Sequence, residues 1–500
     1  MSSTKLGTVL GWALTIGLVA ILSVIAAVAV RYSDKIQLGP WWLAVGEGIV
    51  LAALAWRRYG YRVRVAWSRR SAPGWAVPCA VFSGSLVVDL VAALAVRTKQ
   101  SIDWEAMLGA AQSIADGDWS FSESAYYYYH AYQTPWTLLE AGLLRVGGGS
   151  VVPILIVNAL AMAGTNLLVY LMARRLTGSA AVGIAVAAAY LLCPGHILLA
   201  NVLTNEHMST VLLYLGLYLA VLAAAGPFKW RGAGLFAAAG LALELGNLAR
   251  PAGIAMWMGM IGLLVWSLMS ARKGAAGRRV GRIAAGMGVA AAVYLIVGAG
   301  ASWTIQATGV NDQGLKNNLP ELKVLRAFAP ANPEVLDQAR EDVGFGFPGV
   351  LEDPPHPEAR EIVRRYVEKE IADLPNDWQP TLRLQLWRLW GQNTMGAWYF
   401  NIDDPTPATS FARAGLVLLE RGLFLPIVIM AGWATIMNRR SWSVLATALA
   451  CFVAAYALMH LAIEVQPRYR YLAMPALFAL GAPAWARLMG GTRRSRDRQP

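Results

Sequence analysis

Apolar runs of bilayer length recur along this 500-residue chain, and no other feature restricts its fold as strongly. A helix that crosses a bilayer needs roughly 20 mostly apolar residues. The recurring runs, with 57% hydrophobic residues and a mean hydropathy of +0.45, exclude an ordinary soluble domain. Helices and closed barrels alone satisfy every backbone group in lipid, and these runs lack the short alternating pattern of barrel strands. The sequence therefore predicts an all-α polytopic membrane protein.

The apolar runs predict about twelve transmembrane helices. The first run is longer than the apolar core of a signal peptide and is soon followed by a second one, so it is predicted to stay as an anchor. The predicted spans lie near residues 6–30, 41–56, 76–96, 151–173, 179–200, 207–225, 232–249, 252–270, 283–305, 414–437, 442–463 and 471–489.

Lys and Arg side chains gather in every second connection between the predicted spans. Positively charged loops stay in the cytoplasm, so these connections and both termini are predicted to be cytoplasmic in a multi-pass protein of the cell membrane. The net charge of +13 then reflects topology and calls for no nucleic-acid partner. The basic connections are 57–70, 174–175, 229–231, 272–282, 439–440 and the tail after 490.

The opposite, exoplasmic side carries two long polar segments, 97–150 and 306–413. The second contains "PEAREIVRRYVEKEIADL" and the amphipathic "TLRLQLWRLWGQ", which is suited to lying in the headgroup region. Loops this long are uncommon without a role, so function is expected on this side. The chain is predicted to divide into an N-terminal hairpin with a basic loop (1–75), a transmembrane core with catalytic loop 97–150 (76–305), an exoplasmic subdomain (306–413), C-terminal helices (414–490) and a basic tail (491–500).

Charged side chains stand where several predicted spans end on the exoplasmic side. The stretch "SIDWEAM" puts Asp103 and Glu105 in the first turn of a short helix, where carboxylates suit the helix dipole. N-terminal capping alone explains Asp103 about equally well. Three further span ends carry charges in "NVLTNEHM", "GNLARPAG" and "EVQPRYRY". We expect these ends to converge in one leaflet.

Arginines and a carboxylate at the outer interface indicate chemistry on a phosphate. The guanidinium group binds phosphate through its fork of donors, and a carboxylate can deprotonate a hydroxyl. Nucleotide sugars are generally absent outside the cytoplasm, and the sequence has no G-x-x-x-x-G-K-[ST] loop for ATP. A sugar carried on a lipid phosphate is therefore the expected donor.

In the order of its motifs as well as in its composition, the chain resembles the GT-C superfamily of polyprenyl-phosphate-sugar glycosyltransferases. The likeness is to glycosyltransferase family 39, with the protein O-mannosyltransferases and lipid A aminoarabinose transferases, and covers residues 76–490. In this chain the carboxylate loop follows the third predicted span, whereas in the family it usually follows the first, so residues 1–56 resemble an added hairpin. The likeness rests on "SIDWEAMLGAAQSIADGDW", "YYYHAYQTPWTLLEAGLLRVGG", "LTNEHMSTVLLYLGLYL", "LALELGNLARPAG" and "EVQPRYRYLAMPALFAL".

The resemblance implies a GT-C-like helical bundle and inverting transfer of a sugar from a polyprenyl-phosphate donor to a hydroxyl of a lipid, glycan or peptide. Asp103 is the expected general base, with Glu105 as the alternative, because "DWE" replaces the adjacent carboxylates of the family. Arg468, Arg470 and Arg250 are expected at the donor phosphate. The expected substrate contacts are His130, Tyr129, Gln133, Glu206 and His207.

Other interpretations of these residues stay open. Arg468 or Arg470 would also suit snorkelling to lipid headgroups, and the tyrosines at 126–129 an aromatic belt. No cofactor is predicted, and a divalent metal stays undetermined because no H-x-x-H or carboxylate cluster has clear ligand spacing. The rival functions are a lipid-linked glycan polymerase or ligase and a proton-coupled transporter that would use Glu47, Asp89 and Glu244.

The predicted topology can be tested with single cysteines and an impermeant thiol reagent in intact cells. Ser120→Cys and Arg340→Cys are expected to be labelled, because both positions lie in predicted exoplasmic segments. Ala275→Cys, in a predicted cytoplasmic connection, is expected to stay unlabelled. Labelling of position 275 alone would invert the predicted topology.

Overall fold

The computed structural model describes residues 3–31, 74–95, 98–101, 103–226, 230–270, 276–328, 333–343, 357–391, 406–439 and 441–489. In these ranges the regular structure is helical, which confirms the all-α fold class. The α-helices are α1 Ser3–Arg31, α2 Ala76–Ala95, α3 Asp103–Asp116, α4 Ala125–Tyr129, α5 Thr134–Val146, α6 Val152–Thr177, α7 Ala180–Leu191, α8 Pro194–Leu199, α9 Glu206–Ala225, α10 Trp230–Ala249, α11 Gly253–Met269, α12 Ala276–Ala307, α13 Pro320–Phe328, α14 Pro333–Asp342, α15 Ala359–Leu386, α16 Pro407–Asn438, α17 Val444–Met459 and α18 Arg470–Leu488.

Seven helices in the described ranges are long and apolar enough to cross a membrane. They are α1, α2, α6, α9, α10, α12 and α16, and each overlaps a predicted span. The shorter apolar helices α7, α11 and α17 occupy further predicted spans, and so does α18. The predicted span at 41–56 and the basic loop after it lie outside the described residues. The chain therefore has the helices of a multi-pass membrane protein.

The predicted span at 179–200 is broken in the structure. Helix α7 ends at Leu191, and the short helix α8 starts at Pro194 after an extended Cys193. A proline has no N–H to continue the preceding helix, and it disfavours helical backbone in the residue before it. The prediction of one continuous helix was wrong here because it weighed hydropathy above this proline.

The two helical pieces predicted in 306–413 belong to one helix. Both "PEAREIVRRYVEKEIADL" and "TLRLQLWRLWGQ" fall largely in α15, which passes into a single π-helical turn at Trp387–Gly391. Helices α13 and α14 both pack on α15. The second polar segment thus contains a small helical layer, as the amphipathic patterns indicated.

Helix α18 lies at the centre of the bundle and is buried along almost its whole length. It packs against α6, α7, α16 and α17. Pro475 lies inside this helix, and near it the Tyr214 hydroxyl of α9 enters the helix backbone. Tyr214 accepts a hydrogen bond from the Ala476 N–H (3.1 Å) and donates one to the Leu472 carbonyl (2.7 Å). This inserted hydroxyl satisfies backbone groups that lipid could not, and it ties α18 to α9.

Ends of several helices meet at one end of the bundle. The starts of α3, α11 and α18 lie there together with the end of α17, since residues at each of them line one cavity. Close packing of the helices below this point depends on small residues, which let helix backbones approach. At Gly240 of α10, an added Cβ would overlap the Ala290 carbonyl of α12.

Gly240→Val is expected to destabilise the protein by about 1–3 kcal/mol, because the added side chain must push α10 and α12 apart. Gly234→Val is the matched control on the same helix, where an added Cβ meets nothing within 4 Å. Thermal unfolding of the two purified variants in detergent measures the difference. Equal stability of both variants would contradict the close approach of these helices.

Candidate functional site

A partly open cavity of about 180 Å³ lies where the helix ends meet. In the described part of the chain, four cationic side chains and two carboxylates line it, which is an unusual density of charge at the end of an apolar bundle. Aromatic rings and the side chains of His130 and His460 complete its polar wall. The charged lining residues are Asp103, Arg250, Lys323, Arg326, Glu464 and Arg468.

Asp103 is the first residue of α3 and is paired with Arg468. Its Oδ2 accepts a hydrogen bond from Nη2 of Arg468 at 2.5 Å, and 27% of the side chain stays exposed. Burial alone would raise the pKa of Asp103, but the charge and hydrogen bond of Arg468 outweigh it and hold that pKa below its ordinary value. Asp103 is thus a carboxylate at neutral pH and still faces the cavity.

Arg468 lies at the floor of the cavity, in a 3₁₀ turn at Pro467–Tyr469 that leads into α18. Only 2% of its side chain is exposed. Its guanidinium stands over the ring of Trp104, 4.7 Å from the ring centroid, and 5.8 Å from that of Tyr469. These aromatic faces hold the cation in place without neutralising it. The Asp103 and Arg468 pair joins residues 365 positions apart in the chain.

Glu206 is buried behind the cavity and faces both of its central arginines. One of its oxygens lies 2.8 Å from Nη1 of Arg250 and 3.6 Å from Nε of Arg468. The attraction of Glu206 raises the pKa of Arg250 even though burial opposes this. Arg250 also stands over the Tyr469 ring at 5.0 Å. One carboxylate therefore brings together two arginines that lie far apart in the sequence.

Helix α13 supplies two cations that the sequence did not single out. Arg326 donates two hydrogen bonds to Glu464, at 3.0 and 3.1 Å, and Lys323 stands over the Tyr132 ring at 4.8 Å. Burial would raise the pKa of Glu464, but Arg326 holds it below its ordinary value. The helical spacing of α13 could have indicated these two cations. Leu322 and Leu325 are buried, and Lys323 and Arg326, which follow them, lie together on the neighbouring face that lines the cavity.

His130 and Gln133, two of the expected substrate contacts, line the cavity next to Tyr126 and Tyr132. Burial lowers the pKa of His130 to about 3, so this imidazole is neutral near pH 7. The side-chain Oε1 of Gln133 accepts a hydrogen bond from Nδ2 of Asn205 at 3.0 Å. These neutral groups offer hydrogen bonds beside the charged floor.

Besides Glu206, four of the predicted site residues do not line the cavity. Glu105 is exposed, because it stands about 200° around α3 from Asp103. Tyr129 is buried with its ring against that of Tyr128, and His207 is held between the Tyr471 hydroxyl (2.7 Å) and the Leu199 carbonyl (3.0 Å). Arg470 is buried against Glu420 at 3.1 Å, with its guanidinium over Phe424. Arg470 lies two positions after Arg468, at the start of α18, and its side chain points into the bundle rather than into the cavity.

One wall of the cavity is apolar. Ile254 at the start of α11, Met459 at the end of α17 and Ile463 line it. Ile254 is also 64% exposed on the outer surface of the structure. The cavity therefore presents charge on its floor and an apolar edge between α11 and α17.

Two crystal structures of ArnT from Cupriavidus metallidurans are similar to this chain, one in the apo state and one bound to undecaprenyl phosphate. Each is 15% identical, and the match covers 83% of this chain and 79% of that one, with TM-scores of 0.37 and 0.36. No family model and no curated protein matches the sequence. A likeness this low establishes no residue correspondence between two sites.

Because Arg470 is paired with Glu420 inside the bundle and not in the cavity, its replacement is expected to affect stability. Arg470→Met is expected to lower stability by about 3–5 kcal/mol, because it leaves the Glu420 charge buried without its cation. Adding Glu420→Leu is expected to restore much of the loss, since a buried ion pair can be replaced by apolar groups. Thermal unfolding in detergent measures both. A stable Arg470→Met single variant would contradict this pairing.

Proposed function

We propose that this protein is an integral membrane glycosyltransferase that moves a sugar from a polyprenyl-phosphate donor to an exoplasmic acceptor hydroxyl, with inversion at the anomeric carbon. The observation that carries the proposal is the pairing of an ionised Asp103 with Arg468 in a cationic cavity that has an apolar edge. A base, a phosphate site and a lipid-facing wall are what this reaction needs in one place.

The donor phosphate is assigned to Arg250 and Arg468. Both guanidinium groups line the cavity floor and are drawn together by Glu206. Arginine binds phosphate oxygens through paired N–H donors, and these bonds are strong in a partly buried site. The polyprenyl chain would leave the cavity past Ile254 and Met459 toward the membrane. Arg470 has no part in this assignment, because Glu420 holds it elsewhere.

Asp103 is assigned as the general base. It is ionised at neutral pH, reaches the cavity and stands next to the proposed phosphate site. In the proposed step the acceptor hydroxyl attacks the anomeric carbon, its proton passes to Asp103, and the bond from that carbon to the phosphate oxygen breaks. Glu105 is exposed on the far side of α3, which favours Asp103 over it.

The acceptor is assigned to the side of the cavity formed by residues 126–133 and α13. His130, Tyr132 and Gln133 present neutral hydrogen-bonding groups there, and Lys323 lies over the Tyr132 ring. Such groups suit the hydroxyls of a lipid, glycan or peptide acceptor. This side meets the water phase in the proposed topology, so soluble and lipid-linked acceptors both have access.

A proton-coupled transporter is the rival function from another class. Two of the carboxylates on which it would depend have partners inside the bundle: Asp89 lies 3.1 Å from His196, and Glu244 accepts from Asn247 at 3.5 Å. Neither lines the charged cavity. The third, Glu47, lies outside the described residues. The separation of Asp89 and Glu244 from the cavity favours the enzyme.

Asp103→Asn is expected to lower turnover by roughly 10²-fold or more, because an amide of the same size cannot take the proton. Sugar transfer from a synthetic polyprenyl-phosphate sugar to a panel of acceptors, measured in proteoliposomes, tests this. Glu105→Gln is the matched control on the same helix and is expected to stay active.

Three outcomes would change the assignment. Full activity of a folded Asp103→Asn enzyme would remove Asp103 as the base. Loss of activity in Glu105→Gln alone would move the base by two residues. Substrate uptake by the proteoliposomes without any sugar transfer would favour the transporter.

A further inference from the structure

The pairing of Asp103 with Arg468 poses a chemical problem for the proposed base. The same contact that keeps Asp103 ionised also makes it a weaker proton acceptor. A base that works near neutral pH needs a higher proton affinity at the moment of reaction. Something must therefore weaken the contact once the substrates are bound.

We infer that Arg468 moves its charge pairing from Asp103 to the leaving phosphate during the reaction, so that activation of the base is coupled to departure of the leaving group. This inference rests on the proposed function. It makes Arg468 more than a phosphate ligand, because the same guanidinium controls the proton affinity of the base.

The charges around the cavity support this exchange. In the described residues, four cations on its walls face three carboxylates when Glu206 behind the floor is included, which leaves one positive charge in excess. His130 is neutral near pH 7, since burial lowers its pKa to about 3. A polyprenyl-phosphate sugar is a phosphodiester with one negative charge. The bound donor would therefore neutralise the site.

The reaction then moves one negative charge without creating another. Asp103 gains the hydroxyl proton and becomes neutral. The electron pair of the broken carbon–oxygen bond stays on the phosphate, which becomes a dianion. A cation that contacts both groups can shift its pairing from Asp103 to the phosphate, and the net charge of the site stays the same. Arg468 has that position, because it bonds to Asp103 and lines the floor assigned to the phosphate.

The surroundings of Arg468 allow a change of partner while the side chain stays in place. Trp104 and Tyr469 present ring faces to the guanidinium, and neither ring is a competing anion. Glu206 stays 3.6 Å behind it. Arg250 is not equivalent, since its direct ion pair is with Glu206. The titratable and charged groups that act on Asp103 besides Arg468 are Tyr126, His130, Arg326, Glu464 and Tyr469.

The pH profile of sugar transfer tests the coupling. Activity is lost as the pH falls through the pKa of the base, and Arg468 lowers that pKa. Arg468→Gln is thus expected to move the acid limb of kcat/KM upward by about 1–3 pH units, while Arg468→Lys keeps it near the wild-type position. Arg250→Gln is the matched control: it is expected to weaken donor binding without moving the limb. An Arg468→Gln limb that coincides with the wild-type limb overturns the inference.

A binding measurement gives a second test that does not need an active variant. Calorimetry near pH 7, in two buffers of different ionisation enthalpy, counts the protons taken up when polyprenyl phosphate binds. A phosphate monoester is mostly a dianion there, since its second pKa is about 6. The wild type is expected to take up more protons than Asp103→Asn, and this excess should vanish with a polyprenyl phosphodiester.

The outcomes of this measurement separate the two proposals. Binding of polyprenyl phosphate with equal proton uptake by the wild type and Asp103→Asn overturns the exchange and leaves the glycosyltransferase proposal standing. Absence of binding by both polyprenyl lipids, in a folded wild-type protein, overturns the proposed function and the inference with it.

Discussion

A buried guanidinium needs an anion, and this need organises the charged end of the bundle. Arg468 is almost fully enclosed, so Asp103 and Glu206 must lie beside it for the fold to be stable. The ion pairs of Arg468 with Asp103 and Glu206 bring the start of α3, the start of α9 and the turn before α18 to one point. The adjoining pair of Arg326 with Glu464 adds α13 and the connection after α17. The cavity is the space enclosed by these contacts.

The apolar bundle beneath keeps these charged ends in register. Helix α18 is central, and the Tyr214 hydroxyl that replaces one of its backbone hydrogen bonds joins it to α9. His207 and Tyr471 form a second connection between the same two helices. A shift of α18 along its axis would therefore break buried hydrogen bonds and misplace Arg468. Rigid support of this kind is what a site with paired charges requires.

The same arrangement relates the structure to the proposed chemistry. An apolar edge beside a cationic floor suits a ligand that has a phosphate at one end and a long hydrocarbon chain at the other. Paired carboxylates keep the cations from repelling one another before such a ligand binds. With Glu206 included, these carboxylates leave the described part of the free site with one positive charge in excess rather than a strongly positive charge.

The amino-acid sequence by itself determined the class of the fold and most helix positions. Hydropathy is a local property, so the spans at 207–225 and 76–96 agree with α9 and α2 to within a residue or two. The sequence also placed Asp103, Arg250 and Arg468 at helix ends, because charged residues stand out against apolar runs. The prediction from hydropathy was wrong at residues 192–194, where Pro194 interrupts the helix although the segment is apolar.

Only the tertiary structure decided which charged residues meet. Arg468 and Arg470 look alike in "EVQPRYRY", yet one pairs with Asp103 and the other with Glu420. The two residues lie two positions apart at the entrance to a helix, so their side chains point in different directions, and long-range packing decides what each meets. Lys323 and Arg326 reach the cavity for the same reason, since no local pattern relates α13 to residues 130 and 464. Contacts between distant segments depend on how whole helices pack, and a short stretch of sequence does not encode that packing.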